Sequence, residues 1–200
     1  MQPVVSYYFA PNSPWTYLGH QRFADIARVA GAAIEVLPVD YGRVFPVSGG
    51  LPLAKRAPQR QAYRLVELRR FSDWLQLPLT LKPKYFPVAA DDAARLIVAV
   101  EQHDGSDAAM RLAGAVLRAV WVEERNIADA ATLAAIVSEQ GLPAQRLTEA
   151  DSQASRARFD ANTQRAIDAG VFGAPTYAVN GELFWGQDRL DFLARRLAAG

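Results

Sequence analysis

The stretch YYFAPNSPWTYLG, residues 7–19, begins as an apolar strand and ends as a helix, with Asn12, Ser13, Pro14 and Trp15 at the joint. Serine followed by proline is the pattern of a helix N-cap and first helical residue. The hydroxyl accepts from an otherwise unpartnered amide, and proline has no amide to leave unpartnered. As a cap alone, Ser13 is worth ~1 kcal/mol. The location also has a chemical use, because a helix N-terminus at the end of a strand favours negative charge. A hydroxyl there still has its own proton to donate, and donation to a ligand's sulfur would lower the thiol's pKa.

Working outward, VVSYYF at 4–9 reads as a strand, and Gly19, Phe23, Ile26, Ala27 and Ala30 fall at helical spacing within 15–30, closed by Gly31. AIEVLPV at 33–39 reads as a second strand, so the opening is a βαβ unit with parallel neighbours. From Asp40 to about Pro58 the chain is rich in Gly and Pro without periodicity, which predicts a long loop of the binding kind. Helices are expected over 59–77, 90–103, 106–125, 129–140 and 150–170, with Asp129 as a start and Gly141 and Gly170 as stops. TYAV (176–179) and ELFW (182–185) flank Asn180-Gly181, a strong hairpin signal because both central residues must adopt positive φ. A last helix is expected over 188–199. The order is βαβ, a helical block, then ββα, with no internal repeat and no linker that would separate independent domains.

Half of the 200 residues are hydrophobic and 22% are charged, the balance of a packed globular chain. Lys and Arg number 22 against 21 acids, so no global field recruits nucleic acid or an anionic membrane. The basic run Lys55, Arg56, Arg60, Arg64, Arg69, Arg70 accordingly reads as a solvated face, one or two members of which could meet a carboxylate. No apolar run approaches the ~20 residues of a membrane span, and the N-terminus does not read as a signal peptide, so a cytoplasmic location is expected. With no cysteine, disulfides, thiolate metal sites and protein-thiol catalysis are excluded. His20 and His103 lie in no metal or triad motif, and each reads as a solvated helix residue.

Near the C-terminus, Pro175 opens a strand and so belongs at an edge or a special turn. Gly186-Gln187-Asp188-Arg189 stands where the last helix begins. Asp188 with Asp191 reads as an acidic capping arrangement, or alternatively Gln187 and Asp188 clasp an amino-acid-like ligand, with Asp188 meeting an ammonium.

SPWTYLG at 13–19, WVEERNIADAATLAAI at 121–136 and GVFGAPTYAVNGELFWGQDRL at 170–190 together resemble the 2-hydroxychromene-2-carboxylate isomerase family, in the DsbA-like and kappa-class glutathione transferase branch of thioredoxin folds. The resemblance implies an α/β fold: a thioredoxin-like βαβ…ββα domain over 1–41 and 171–200, with a large all-helical insertion over 42–170. It implies glutathione as cofactor and Ser13 in place of a redox cysteine, hydrogen-bonded to the glutathione sulfur. It makes Pro175 a cis-proline, with Ala174 pairing its backbone to the tripeptide, and assigns the γ-glutamyl end to Gln187 and Asp188. Gly49 and Gly50 stand in the loop where family members often carry asparagine, and Lys55 or Arg60 would take the place of the family's loop lysine.

The implied reaction interconverts a cyclic hydroxychromene carboxylate with an open-chain trans-hydroxybenzylidene pyruvate in aromatic degradation, by reversible thiolate addition. The implied assembly is a homodimer. Trp15, Tyr41, Phe45, Tyr85, Phe86 and Trp121 are candidates for an apolar wall around an aromatic carboxylate substrate, with core packing as the competing role of each. A kappa-class-like transferase, or a glutathione-binding protein without chemistry, are the alternatives to an isomerase.

Overall fold

A computed structural model describes residues 2–199. β1 is Val4–Phe9, buried at every position after Val4. A strand apolar on both faces must be covered on both. Val5, Tyr7 and Phe9 enter one apolar cluster and Tyr8 enters another, the alternation an extended chain imposes. α1 (Pro14–Val29) crosses to β2 (Ala33–Pro38), which pairs parallel to β1 with Tyr7 opposite Val36. On the other side of β1 lies β3 (Thr176–Val179), antiparallel with Tyr8 opposite Thr176, followed by β4 (Glu182–Trp185). The sheet order is β2-β1-β3-β4. Asn180 and Gly181 have φ of 51° and 83°, as the two-residue hairpin requires.

Between β2 and β3 the chain is helical: α2 (Tyr41–Ser48), α3 (Pro58–Leu75), α4 (Asp91–Asp104), α5 (Ser106–Trp121), α6 (Ala130–Glu139), α7 (Gln145–Ala150) and α8 (Gln153–Asp168). α9 (Leu190–Ala198) closes the chain. α1, α4, α5 and α9 bury Phe23, Ile97, Leu112 and Leu193 in the same cluster as Val5 and Tyr7. The sheet and the inserted helices thus share one core. α2 and α8 cover the opposite face through Tyr41, Val44 and Ala166. No helix among the described residues is long and apolar enough to cross a membrane.

Several expectations are corrected. The segment after Asp40 is not a structureless loop: the Asp40 carboxylate accepts from Gly42 N at 2.7 Å and caps α2, and Leu53–Lys55 forms a 3-10 turn. Two helical turns containing Pro46 are too short to show a period, and it is the burial of Tyr41 and Val44 that holds them. The helix expected at 106–125 stops at Trp121. The one expected at 150–170 is α8, Gln153–Asp168, which starts where Ser152 caps it through Ser155 N, and the short α7 before it, Gln145–Ala150, was not expected. Asp188 and Asp191 cap nothing. Asp188 lies in a 3-10 turn, Gln187–Arg189, and Asp191 faces Arg22 at 3.5 Å.

His20 is not solvated. It is buried, with Nδ1 at 3.1 Å from the Tyr7 hydroxyl and Nε2 at 3.0 Å from Met110 O. A carbonyl only accepts, so Nε2 carries the proton and Nδ1 accepts from Tyr7. The neutral ring ties β1 to α5 across α1, and burial lowers its pKa from 6.5 to about 4. His103, by contrast, is exposed on α4.

The stability this ring provides is present in full above pH ~6.5 and declines as pH falls towards 4, because the unfolded chain takes up the proton first. Wild type should exceed His20→Gln in unfolding free energy at pH 7, with the gap narrowing between pH 6.5 and 4. Urea titrations of both across that range measure it, and a pH-independent gap would contradict the buried neutral ring.

Candidate active site

The chain leaves β1 at Ala10 and turns at once, with Ser13 N donating to Ala10 O at 3.0 Å. Ser13 is the extended N-cap of α1, its Oγ accepting from Thr16 N at 3.3 Å and its carbonyl from Tyr17 N at 3.0 Å. The hydroxyl proton has no acceptor among the described residues. Trp15 N is a second free donor in that first turn, and no acid stands there to neutralise the positive end of the helix. Asn12 fixes the turn from the other side, donating from Nδ2 to Val88 O at 2.8 Å.

β1–β3 pairing carries the distant segment to the same place. With Tyr8 opposite Thr176, the residues just before β3 lie beside the end of β1. Ala174-Pro175 is a cis bond there. Pro175 O accepts from Gly186 N at 2.8 Å, which draws the 3-10 turn Gln187–Arg189 alongside. The Ala174 N–H and C=O find no partner among the described residues, whereas the Gly173 carbonyl is taken by Tyr41 Oη (3.0 Å) and Thr176 Oγ1 (2.7 Å). Ser13, Ala174, Pro175, Gln187 and Asp188 are therefore brought to one end of the sheet.

Their availability differs. The Asp188 carboxylate is half-exposed and bonded to the neighbouring Arg189 at 2.8 Å. Gln187 is buried, and its Oε1 and carbonyl lie at 3.3 and 3.4 Å from Arg22 Nη1. Arg22 went unnoticed in the sequence, where nothing marks one helical arginine as the partner of a glutamine far along the chain. Gly19 permits this packing: a Cβ there would lie 2.7 Å from Gln187 Cβ and 2.8 Å from Tyr177 Oη. Lys55 and Arg60 are exposed and form no ion pair among the described residues.

The aromatic candidates divide. Trp15 is half-buried and meets Phe71 of α3 edge-on at 6.0 Å. Phe86 is half-buried, and Tyr85 is exposed beside Lys84. Tyr41 is buried with its hydroxyl occupied, Phe45 packs against it at 5.7 Å, and Trp121 is fully buried. Trp121 is thus a core residue, whereas Tyr41, though buried, still lines the small cavity beside the turn. A cavity of about 240 Å³ adjoins the turn, lined by Asn12, Asp40, Tyr41, Val88 and Asp91 among others. A second groove, about 1170 Å³ between α1 and α5, contains none of the predicted site residues. Its lining offers neither the free helix end nor the unpaired Ala174 backbone.

The DSBA-like thioredoxin domain model matches residues 4–198. The chain is 29% identical over 195 residues to the 2-hydroxychromene-2-carboxylate isomerase of Sphingobium xenophagum, covering 96% of this chain and 97% of that protein. It is 30% identical over 194 residues to the 2-hydroxychromene-2-carboxylate isomerase of Pseudomonas putida, covering 95% and 92%. A solved 2-hydroxychromene-2-carboxylate isomerase superposes with a TM-score of 0.81 at 27% identity, over 98% of this chain and 95% of the other. The cytosolic disulfide reductase DsbM from Pseudomonas aeruginosa superposes with a TM-score of 0.72 at 20% identity, over 98% and 100%, a likeness of fold alone.

As a cap, Ser13 has a separable stability signature. Ser13→Ala should lower unfolding free energy by about 0.5–2 kcal/mol and Ser13→Gly by only a few tenths. Equilibrium denaturation of the two variants distinguishes this from a hydroxyl with no part in holding the helix.

Proposed function

The chain belongs to the DSBA-like thioredoxin domain family and, within it, to the 2-hydroxychromene-2-carboxylate isomerases, and we propose that it is a glutathione-dependent isomerase of a hydroxychromene carboxylate. The product would be the open-chain trans-hydroxybenzylidene pyruvate. The observation that carries this reading is the Ser13 hydroxyl, its proton uncommitted, at a helix end with no acid in its first turn. The chain has no cysteine, so nucleophilic sulfur has to arrive with a ligand.

The protein atoms fit glutathione at several points. The free backbone N–H and C=O of Ala174 suit pairing with an extended peptide in the manner of an added strand. The half-exposed Asp188 carboxylate suits the γ-glutamyl ammonium. The Gln187 amide is already turned towards Arg22, so its part is to position that corner rather than to supply a free acceptor. Lys55 and Arg60, exposed and unpaired, suit the glycyl carboxylate.

Glutathione held by these residues would supply a thiolate nucleophile for reversible addition to the substrate. Ser13 donates its proton towards the sulfur position, and together with the Trp15 N–H and the helix end it favours the ionised form. Trp15 and Phe86, both half-buried, are the aromatic side chains that would wall the substrate's ring.

Millimolar glutathione should raise the melting temperature by several degrees at saturation. Ser13→Ala should cut kcat/KM at neutral pH about 10–100-fold and move the rising limb of the pH–rate profile upwards, while glutathione affinity changes little, since 1–2 pKa units of lost thiolate stabilisation act on reactivity. The direct assay follows a hydroxychromene carboxylate with and without glutathione. Equal rates in both would remove the cofactor from the account, and accumulation of a conjugate would make the protein a transferase.

A further inference from the structure

α3 carries a cation where its inward face calls for an apolar residue. Arg64, Leu68 and Phe71 are spaced i, i+4, i+7 and share a face; Leu68 is fully buried and Phe71 meets Trp15 at the start of α1. Arg64 therefore points to the α1 side. Its guanidinium lies 5.4 Å from the Phe86 ring centre and 5.8 Å from that of Trp121, the two rings being 4.7 Å apart. Both distances are within cation–π range. Phe86 stands two residues before Val88, whose carbonyl accepts from Asn12 Nδ2 at 2.8 Å, so the segment that carries this ring is tied to the residue beside Ser13.

What Arg64 lacks is an acid. Among the described residues it makes no ion pair and no hydrogen bond: Glu67, the acid three residues on along α3, is bound by Arg70 instead, and the charge that acts on Arg64 is the like charge of Arg56. Arg146 and Arg125 show how this protein otherwise treats partly buried arginines: the first is bound by Asp104 and Glu149, the second by Glu123 and Glu139. A half-buried cation without a counterion costs stability that aromatic faces only partly return. Burial and Arg56 lower its pKa to about 10, which still leaves it charged at neutral pH. The indole Nε1 of Trp121 is likewise buried with no acceptor.

We propose that Arg64 is the specificity residue that grips the carboxylate of the aromatic substrate, its planar fork pairing with both carboxylate oxygens beside the Phe86 ring. The inference rests on the isomerase reading above. The glycyl carboxylate of glutathione has the same chemistry, but Lys55 and Arg60 await it in solvent, whereas a site bordered by aromatic rings suits the acid attached to a ring.

The test measures binding of 2-hydroxychromene-2-carboxylate and of glutathione, each by calorimetric titration, together with steady-state turnover, in wild type, Arg64→Met and Arg64→Lys. Arg64→Met preserves the stem, and melting curves establish that each variant is folded; if the methionine variant is not, the lysine variant decides. We expect Kd and KM for the carboxylate to rise about 10–100-fold in Arg64→Met and less in Arg64→Lys, with glutathione affinity unchanged. Weakened glutathione binding with unchanged carboxylate binding would assign Arg64 to the tripeptide and overturn the proposal. Unchanged binding of both would overturn it too. Arg64-dependent binding without turnover in wild type would support the anchor and sink the isomerase reading, while wild type that neither binds nor turns over the carboxylate would sink both.

Discussion

Tyr7 and Phe9 are packed on one face of the central strand and Tyr8 on the other, under different helices. A slip of one residue would exchange the faces and bury each ring in the wrong layer, so the register of β1 is held from both sides. That constraint sets where the strand ends. With Phe9 fixed and Ser13 N bonded back to Ala10 O, α1 has to begin at Pro14, and the Ser13 hydroxyl has to stand at the carboxyl end of the sheet. β3 pairs with the same strand, so Ala174-Pro175 is carried to the same end, and the Pro175–Gly186 hydrogen bond brings Asp188 after it. The site is a consequence of one strand being doubly covered.

Most arginines of this surface are matched with acids, and a few are not. The Arg165–Glu35 pair at 2.5 Å also engages Ser6. A few cations stand outside that pattern, and acids stand near the Ser13 turn as well, Asp40 and Asp91 lining the cavity beside it. The first turn of α1 has no acid, and Lys55, Arg60 and Arg64 have no partner among the described residues. The Ser13 cap uses a lone pair of its oxygen and leaves the hydroxyl proton without an acceptor among the described residues.

Much of this was readable in the chain. VVSYYF, AIEVLPV, TYAV and ELFW declared themselves as strands by their apolar, β-branched and aromatic content, Asn180-Gly181 declared the hairpin, and Ser13-Pro14 declared a helix start, because each is a short-range preference of the backbone. The absence of cysteine excluded a protein thiol outright. The resemblance carried by SPWTYLG and FGAPTYAVNGELFWGQDRL led to the family that the comparisons then established.

What local pattern could not determine was which side chains would meet. α2 is two turns long and exists because Tyr41 and Val44 find a core to enter. His20 looked like any helical histidine until β1 and α5 closed over it, and Trp121 looked like a candidate for a wall until burial placed it in the core. Gln187 acquired Arg22 as a partner, and Arg64 was left without one, through contacts between elements far apart in the chain. Elements and their caps follow from interactions within a few residues, which a sequence displays directly. Burial, pairing and the isolation of a charge depend on the assembled fold, where distant segments compete for the same space and the same partners.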